Sequence, residues 1–203
     1  SSAASDVYKR QLHKRGISPG QVTDVVLTHL HFDHCGYSTL KNEETGEIYP
    51  AFPNATYWVS RKQWDNFLHP NALEKDSYFI ENMKAIADNG QLRLIDTDTE
   101  LCPDIDLRLF DGHTPGQIVP YIHTPEQTFV FAGDVIPLAA SVSPEWISAY
   151  DTFPVTSYQE KVRMLEKAAR EGQVLIYCHD AYTRCSTVKK VNDFFKKDKT
   201  IEI

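Results

Sequence analysis

The run "VTDVVLTHLHFDHCG", residues 22–36, constrains this chain more than any other stretch. A β-branched segment reads as a buried strand, and it ends directly in the pattern H-x-H-x-D-H, made of His29, His31, Asp33 and His34. A surface loop gains little from three histidines in six residues, and an apolar core would find them costly to bury. Imidazole nitrogen and carboxylate oxygen are both good donors to a borderline cation such as zinc. Four donors this close cannot all reach one tetrahedral ion without severe backbone strain. Two ions sharing the loop remove the conflict, one taking His29 and His31 and the other Asp33 and His34. Each ion then needs partners from elsewhere in the chain.

The second half of the sequence offers them at equivalent places. His113 follows "IDLRLFDG", Asp134 follows "TFVFAG" and His179 follows "QVLIYC". Each sits at the C-terminal end of a predicted strand, where side chains from several strands converge on one rim. Asp134 has two carboxylate oxygens and can bridge two ions.

The remaining pattern is mixed α/β. "ATYWVS" predicts a strand opening into a helix over Arg61–Leu68, and a longer helix is expected from Ala72 to Asp88 on an apolar stripe of Leu73, Phe79, Met83 and Ile86. Asn89-Gly90 supplies its stop. "QLRLID", "IDLRLF" and "TFVFAG" alternate as half-buried strands, with "HTPEQ" as a hairpin turn. Ser157 and Glu160 have capping-box spacing for a helix running to Gly172, and Ser186 is expected to cap a last helix using Val188, Val191, Phe194 and Phe195. The opening "SSAASDVYKRQ" has no apolar run, so it is no signal peptide and reads as a non-native tail over residues 1–11. Residues 12–203 are expected to form a single domain.

His29, His31, Asp33, His34, His113, Asp134 and His179 together resemble the ligand set of the metallo-β-lactamase superfamily. The likeness covers nearly everything from Val22 to the expected last helix. It implies an αββα sandwich with the metals at one edge, and a hydrolase that uses a metal-bridging hydroxide. By the match, His29, His31 and His113 hold one metal, Asp33, His34 and His179 the other, and Asp134 lies between them. Asp33 and Asp134 are the expected catalytic carboxylates. The cofactors implied are two divalent ions, zinc first, with manganese, iron or cobalt as substitutes. Members carry several strands ahead of the first histidine that have almost no counterpart here, so a domain short of its N-terminal strands is expected.

A net charge of -7 without any lysine or arginine block argues against nucleic-acid binding, and no apolar run of membrane-spanning length occurs. The four cysteines form no C-x-x-C pair, which favours reduced thiols and a cytoplasmic protein. The partner expected is a small-molecule substrate, and a homodimer is compatible with the pattern. Trp64, Phe67, Trp146 and Tyr182 are the aromatic candidates for contacting that substrate. "FPNATYWVSRKQWDNFLHPNALEKDSYFIEN" and "FAGDVIPLAA" resemble the branch containing N-acyl homoserine lactonases and parathion-hydrolase-like enzymes. Lactone or ester hydrolysis is therefore the leading expectation. The alternatives are phosphotriester hydrolysis on the same metals, a persulfide-dioxygenase-like redox enzyme with one iron, and an inactive truncated fragment.

Overall fold

The computed structural model describes residues 10–202, so the expected tail lies outside it except for Arg10 and Gln11, which begin helical backbone over 10–14. The chain divides into two compact units, Ser1–Ile95 and Asp96–Ile203. The even alternation of predicted elements gives no sign of that boundary.

In the first unit β1 (Asp24–Val26) is shorter than the apolar run that predicts it, because the next residues leave the strand to carry the histidines. A single turn, α1 (Phe32–Cys35), follows with His31 as its N-cap. The hairpin β2 (Thr39–Lys41) and β3 (Ile48–Pro50) has no clear sequence signal. Next come β4 (Thr56–Ser60) and α2 (Arg61–Leu68), as the sequence predicts, with Ser60 Oγ accepting the Gln63 amide at 3.0 Å as the N-cap. After α3 (Glu81–Asp88), β5 (Leu92–Ile95) completes a parallel sheet in the order β1-β4-β5. Tyr57 stands opposite Val25 on one side and Leu92 on the other. Leu27, Leu30, Cys35, Tyr57, Val59, Phe67, Met83 and Ile86 form the core of this unit.

The helix expected from Ala72 begins only at Glu81. Asn71 Oδ1 accepts the amides of Leu73 at 2.8 Å and Glu74 at 3.2 Å, and this local turn competes with helix initiation. A 3₁₀ turn over Lys75–Ser77 follows. Met83 and Ile86 are buried as the stripe requires, but Leu73 is 81% exposed. Gly90, at φ +71°, follows the helix as Asn89-Gly90 leads one to expect.

The second unit is built on seven strands: β6 (Thr99–Cys102), β7 (Ile105–Phe110), β8 (Gln117–His123), β9 (Thr128–Phe131), β10 (Val174–Ile176), β11 (Cys185–Val191) and β12 (Phe194–Ile201). Their order is β12-β11-β10-β9-β8-β7-β6. All neighbours are antiparallel except β9 and β10, and that parallel pair needs a long crossover, supplied by α4 (Pro154–Glu171). Met164, Leu165 and Ala168 of α4 pack on Val119, Tyr121, Val130, Leu175 and Val188.

Two expectations fail here for local reasons. The helix read as starting at Ser157 starts three residues earlier, with Pro154 in its first turn, where a missing N–H is harmless. Glu160 therefore lies inside the helix and is turned to another use. The last helix expected after Ser186 is the β11–β12 hairpin, with Val191 opposite Phe194. Apolar residues at 188, 191 and 195 mimic helical spacing. The deciding residues are Asn192 and Asp193, since Asn192 adopts φ 54° and turns the chain back. Burial then follows period two, with Val188 and Phe195 inside and Val191 and Phe194 outside. Replacing Asn192 by valine is expected to cost about 1–2 kcal/mol in urea unfolding, whereas Asn192→Gly is expected to be near neutral.

Candidate metal centre

In the first unit the H-x-H-x-D-H loop is held from both sides of one residue. The Leu30 amide donates to Gln63 Oε1 at 3.1 Å, and the Leu30 carbonyl accepts the Cys35 thiol at 3.2 Å. Burial pushes that thiol up to about 12, so Cys35 stays protonated and serves as a packing donor. Fixed in this way, the loop brings its imidazoles together. The His29 ring centroid lies 4.6 Å from that of His31 and 4.1 Å from that of His34. Thr28 Oγ1 is 3.1 Å from His29 Nδ1, and Asp33 Oδ2 is 3.5 Å from His34 Nε2. Glu74, buried behind the loop, places Oε1 3.7 Å from His31 Nε2.

The second unit assembles His113, Asp134 and His179. The backbone before His113 is locked by α4: Glu160 accepts the amides of Asp111 and Gly112, each at 2.9 Å. A Cβ on Gly112 would sit 2.4 Å from Ser157 Cα, so only glycine allows this approach. Burial raises the Glu160 carboxyl above its usual range, opposed by those two amide hydrogen bonds. Asp151 Oδ1 lies 2.9 Å from His113 Nδ1. The amides of Thr152 and Phe153 donate to the carbonyls of His113 and Gly112, zipping the two segments together.

Asp134 lies in a 3₁₀ turn directly after β9. Its two oxygens face different histidines, Oδ2 at 3.4 Å from His113 Nε2 and Oδ1 at 3.3 Å from His179 Nε2. Cys178 Sγ donates to the same Oδ1 at 3.2 Å, a contact that the sequence pattern leaves unread. Asp180 fixes the loop beyond His179 by accepting the amides of Ala139, Tyr182 and Thr183. Those hydrogen bonds hold its carboxyl below the usual range.

The aromatic candidates fall in different settings. Trp64 stacks on Phe67 at 5.4 Å, and Phe67 is buried in the core of the first unit. Tyr182 is 97% exposed on the loop organised by Asp180. Trp146, 65% exposed, lines a cavity of about 470 Å³ in the second unit. Asp134 and Asp151 also line it, with Leu138 and Ile147 among its apolar walls and Ser141, Glu145 and Ser148 as polar ones. Under this wall Lys161 is only 1% exposed and donates to the Trp146 carbonyl at 2.7 Å.

The model of the metallo-β-lactamase superfamily matches residues 1–179. The chain belongs to the metallo-β-lactamase superfamily. Its mixed α/β fold is the fold of that superfamily. A probable metal-dependent hydrolase from Staphylococcus aureus superposes with a TM-score of 0.81 at 26% identity, covering 94% of this chain and 68% of that one. AidC, a dizinc quorum-quenching lactonase, superposes with a TM-score of 0.78 at 20% identity, covering 96% of this chain and 69% of its own, a likeness of fold. An N-acyl homoserine lactonase of Bacillus thuringiensis is 24% identical over 175 residues, 83% of this chain. The chain spans 60% of the length of that curated relative. Among the described residues, no helix is long and apolar enough to cross a membrane.

The donor sets suit the divalent metals of this superfamily. Nitrogen and carboxylate oxygen donors match a borderline cation, and Asp151 on His113 Nδ1 leaves Nε2 as the donating nitrogen. Gln63, Glu74, Asp151, Glu160, Lys161 and Cys178 shape the two clusters; only Glu160 stands in a sequence pattern, and that pattern reads as a helix cap rather than as a support for His113.

Lys161 carries a testable signature. Burial pushes its ammonium down from 10.5 to about 8, against the attraction of Asp151 and Glu145. Between those values the unfolded chain holds a proton that the folded chain has released, so stability rises with pH across that window. Lys161→Met removes this dependence, and its stability relative to the unsubstituted chain is expected to fall as the pH is raised from about 7 to about 10. Urea unfolding at both pH values checks this, and an unchanged difference would contradict the burial of the charge.

Proposed function

We propose that this chain is a metal-dependent hydrolase of lactones or esters, working with two divalent ions, zinc foremost. The observation that carries the reading is Asp134, whose two oxygens face His113 and His179 at 3.4 and 3.3 Å, an arrangement suited to a carboxylate shared by two cations. In this reading His29, His31 and His113 hold one ion, Asp33, His34 and His179 hold the other, and Asp134 serves both. Membership of the superfamily and the intact ligand pattern support it. So do the lactonase names of the B. thuringiensis relative and of AidC.

When bound, such ions polarise a carbonyl or phosphoryl oxygen and bring the ionisation of water to roughly pH 7. The protein's own residues do the remaining work. Asp151 keeps the proton on His113 Nδ1 and so fixes the direction of Nε2. Leu138, Trp146 and Ile147 give a small ester an apolar surface and displace water from it. Asp134 and Asp33 are the carboxylates placed to move a proton, Asp134 at the end of that cavity and Asp33 with an exposed side chain 3.5 Å from His34 Nε2.

Elemental analysis of the purified chain, followed by a panel of lactones, esters and neutral phosphotriesters, tests the proposal. About two ions per chain with lactone or ester turnover is the expected result. One iron with sulfur-oxidising activity would replace it with the dioxygenase reading, and preference for the phosphotriesters would move the substrate class. Asp134→Ala is expected to lose metal and turnover together, and full retention of either would overturn the shared-ligand role. Trp146→Ala is expected to raise KM roughly tenfold with a smaller change in kcat, as loss of an aromatic binding wall does.

A further inference from the structure

We propose that Glu74 is a positioning residue for the metal centre, biasing the tautomer of His31 through the carboxylate that faces its Nε2. This rests on the reading above in which His31 binds a metal.

The local fold inverts the ordinary hydrophobic order to bring Glu74 inside. Leu73 is 81% exposed, while Glu74 beside it is 2% exposed. Burying a carboxylate is expensive unless its oxygens are engaged, so a turn that hides the acid and exposes the leucine is built for something other than stability. Asn71 makes the turn, its Oδ1 accepting the Leu73 and Glu74 amides. The same asparagine donates through Nδ2 to Glu74 Oε2 at 2.9 Å, and Asn66 Nδ2 donates to that oxygen at 2.6 Å. Two amide donors thus pin one carboxylate oxygen and set the side-chain torsion. The other oxygen, Oε1, faces His31 Nε2 at 3.7 Å, within ion-pair range but longer than a hydrogen bond.

The ring it faces is held just as firmly. Tyr78 packs against His31 with ring centroids 5.0 Å apart, and its hydroxyl accepts from Asn66 Nδ2 at 2.9 Å and donates to Gln63 Oε1 at 3.1 Å. Gln63 Oε1 in turn accepts the amide of Leu30, the residue before His31. One buried network therefore fixes the carboxylate, the ring and the backbone that carries the ring. A carboxylate at Nε2 stabilises the tautomer protonated there and leaves Nδ1 to donate. It also offsets the positive charge the ring acquires when Nδ1 engages a cation.

The test uses the full chain, ¹⁵N-labelled at histidine, with and without zinc. The ring spectrum is expected to show Nε2 protonated at His31 in both states. Glu74→Gln, which keeps the volume but turns an amide donor toward Nε2, is expected to shift that ring toward the other tautomer. Zinc affinity by chelator competition should fall roughly 10–100-fold, and Glu74→Asp should recover part of it. Affinity within about twofold of the unsubstituted chain together with an unchanged His31 spectrum would overturn the proposal. Should Glu74→Gln fail to fold, the unsubstituted spectrum decides alone, because a proton on His31 Nδ1 contradicts the assignment. An unsubstituted chain that takes up no zinc would overturn the hydrolase reading, whereas zinc uptake indifferent to Glu74 would overturn only this one.

Discussion

The 2.9 Å hydrogen bond between Asp151 and His113 Nδ1 sets the terms for everything around it in the second unit. An imidazole can offer a cation only one nitrogen, and it offers it in a fixed direction only when the other nitrogen is held. That requirement accounts for an otherwise puzzling face of α4. Ser157, Glu160 and Lys161 are buried, where apolar residues would serve stability better. Each has a task in the loops instead: Ser157 stands against Gly112, Glu160 takes the two amides before His113, and Lys161 holds the Trp146 carbonyl.

The first unit meets the same need with different chemistry. Leu30, between two of the histidines, has its amide and its carbonyl engaged by side chains rather than by a neighbouring strand. Gln63 and Cys35 thereby do for this loop what sheet pairing does elsewhere. A backbone segment freed from the ladder must find such partners when buried, or it would not stay there.

The candidate ligand residues stand out in the sequence because their spacing is chemistry before it is structure. Four donors in six residues have few other uses, and strands ending in His113, Asp134 and His179 needed only the period-two pattern to be seen. The supporting residues were hidden for the opposite reason. Asp151 in "AYDTFP" and Glu74 in "NALEKD" look like ordinary solvated acids, and only the turn made by Asn71 and the docking of α4 turn such acids inward. The misread elements share one cause. The Leu73 stripe and the spacing of Val188, Val191 and Phe195 are periodic enough for a helix, but single polar residues, Asn71 and Asn192, redirect the backbone. Periodicity reports what a segment would bury, while a capping or turn residue reports whether it starts.

Among the described residues the seven-stranded sheet ends in β12 on one side and β6 on the other. Strand edges invite further strands, including those of a second molecule. On β12 the alternation places Lys197 and Lys199 on one face and Lys196 on the other, and Lys189 of the neighbouring strand pairs with Asp198 at 2.7 Å. Lysines on an edge strand are a common means by which sheets discourage the addition of a further strand. At β6 the register slips between Glu100 and Cys102, so no even ladder is presented there either. The hairpin that takes the place of the expected last helix therefore gives this side of the sheet a margin rich in charge, one that a further strand would meet before any apolar face.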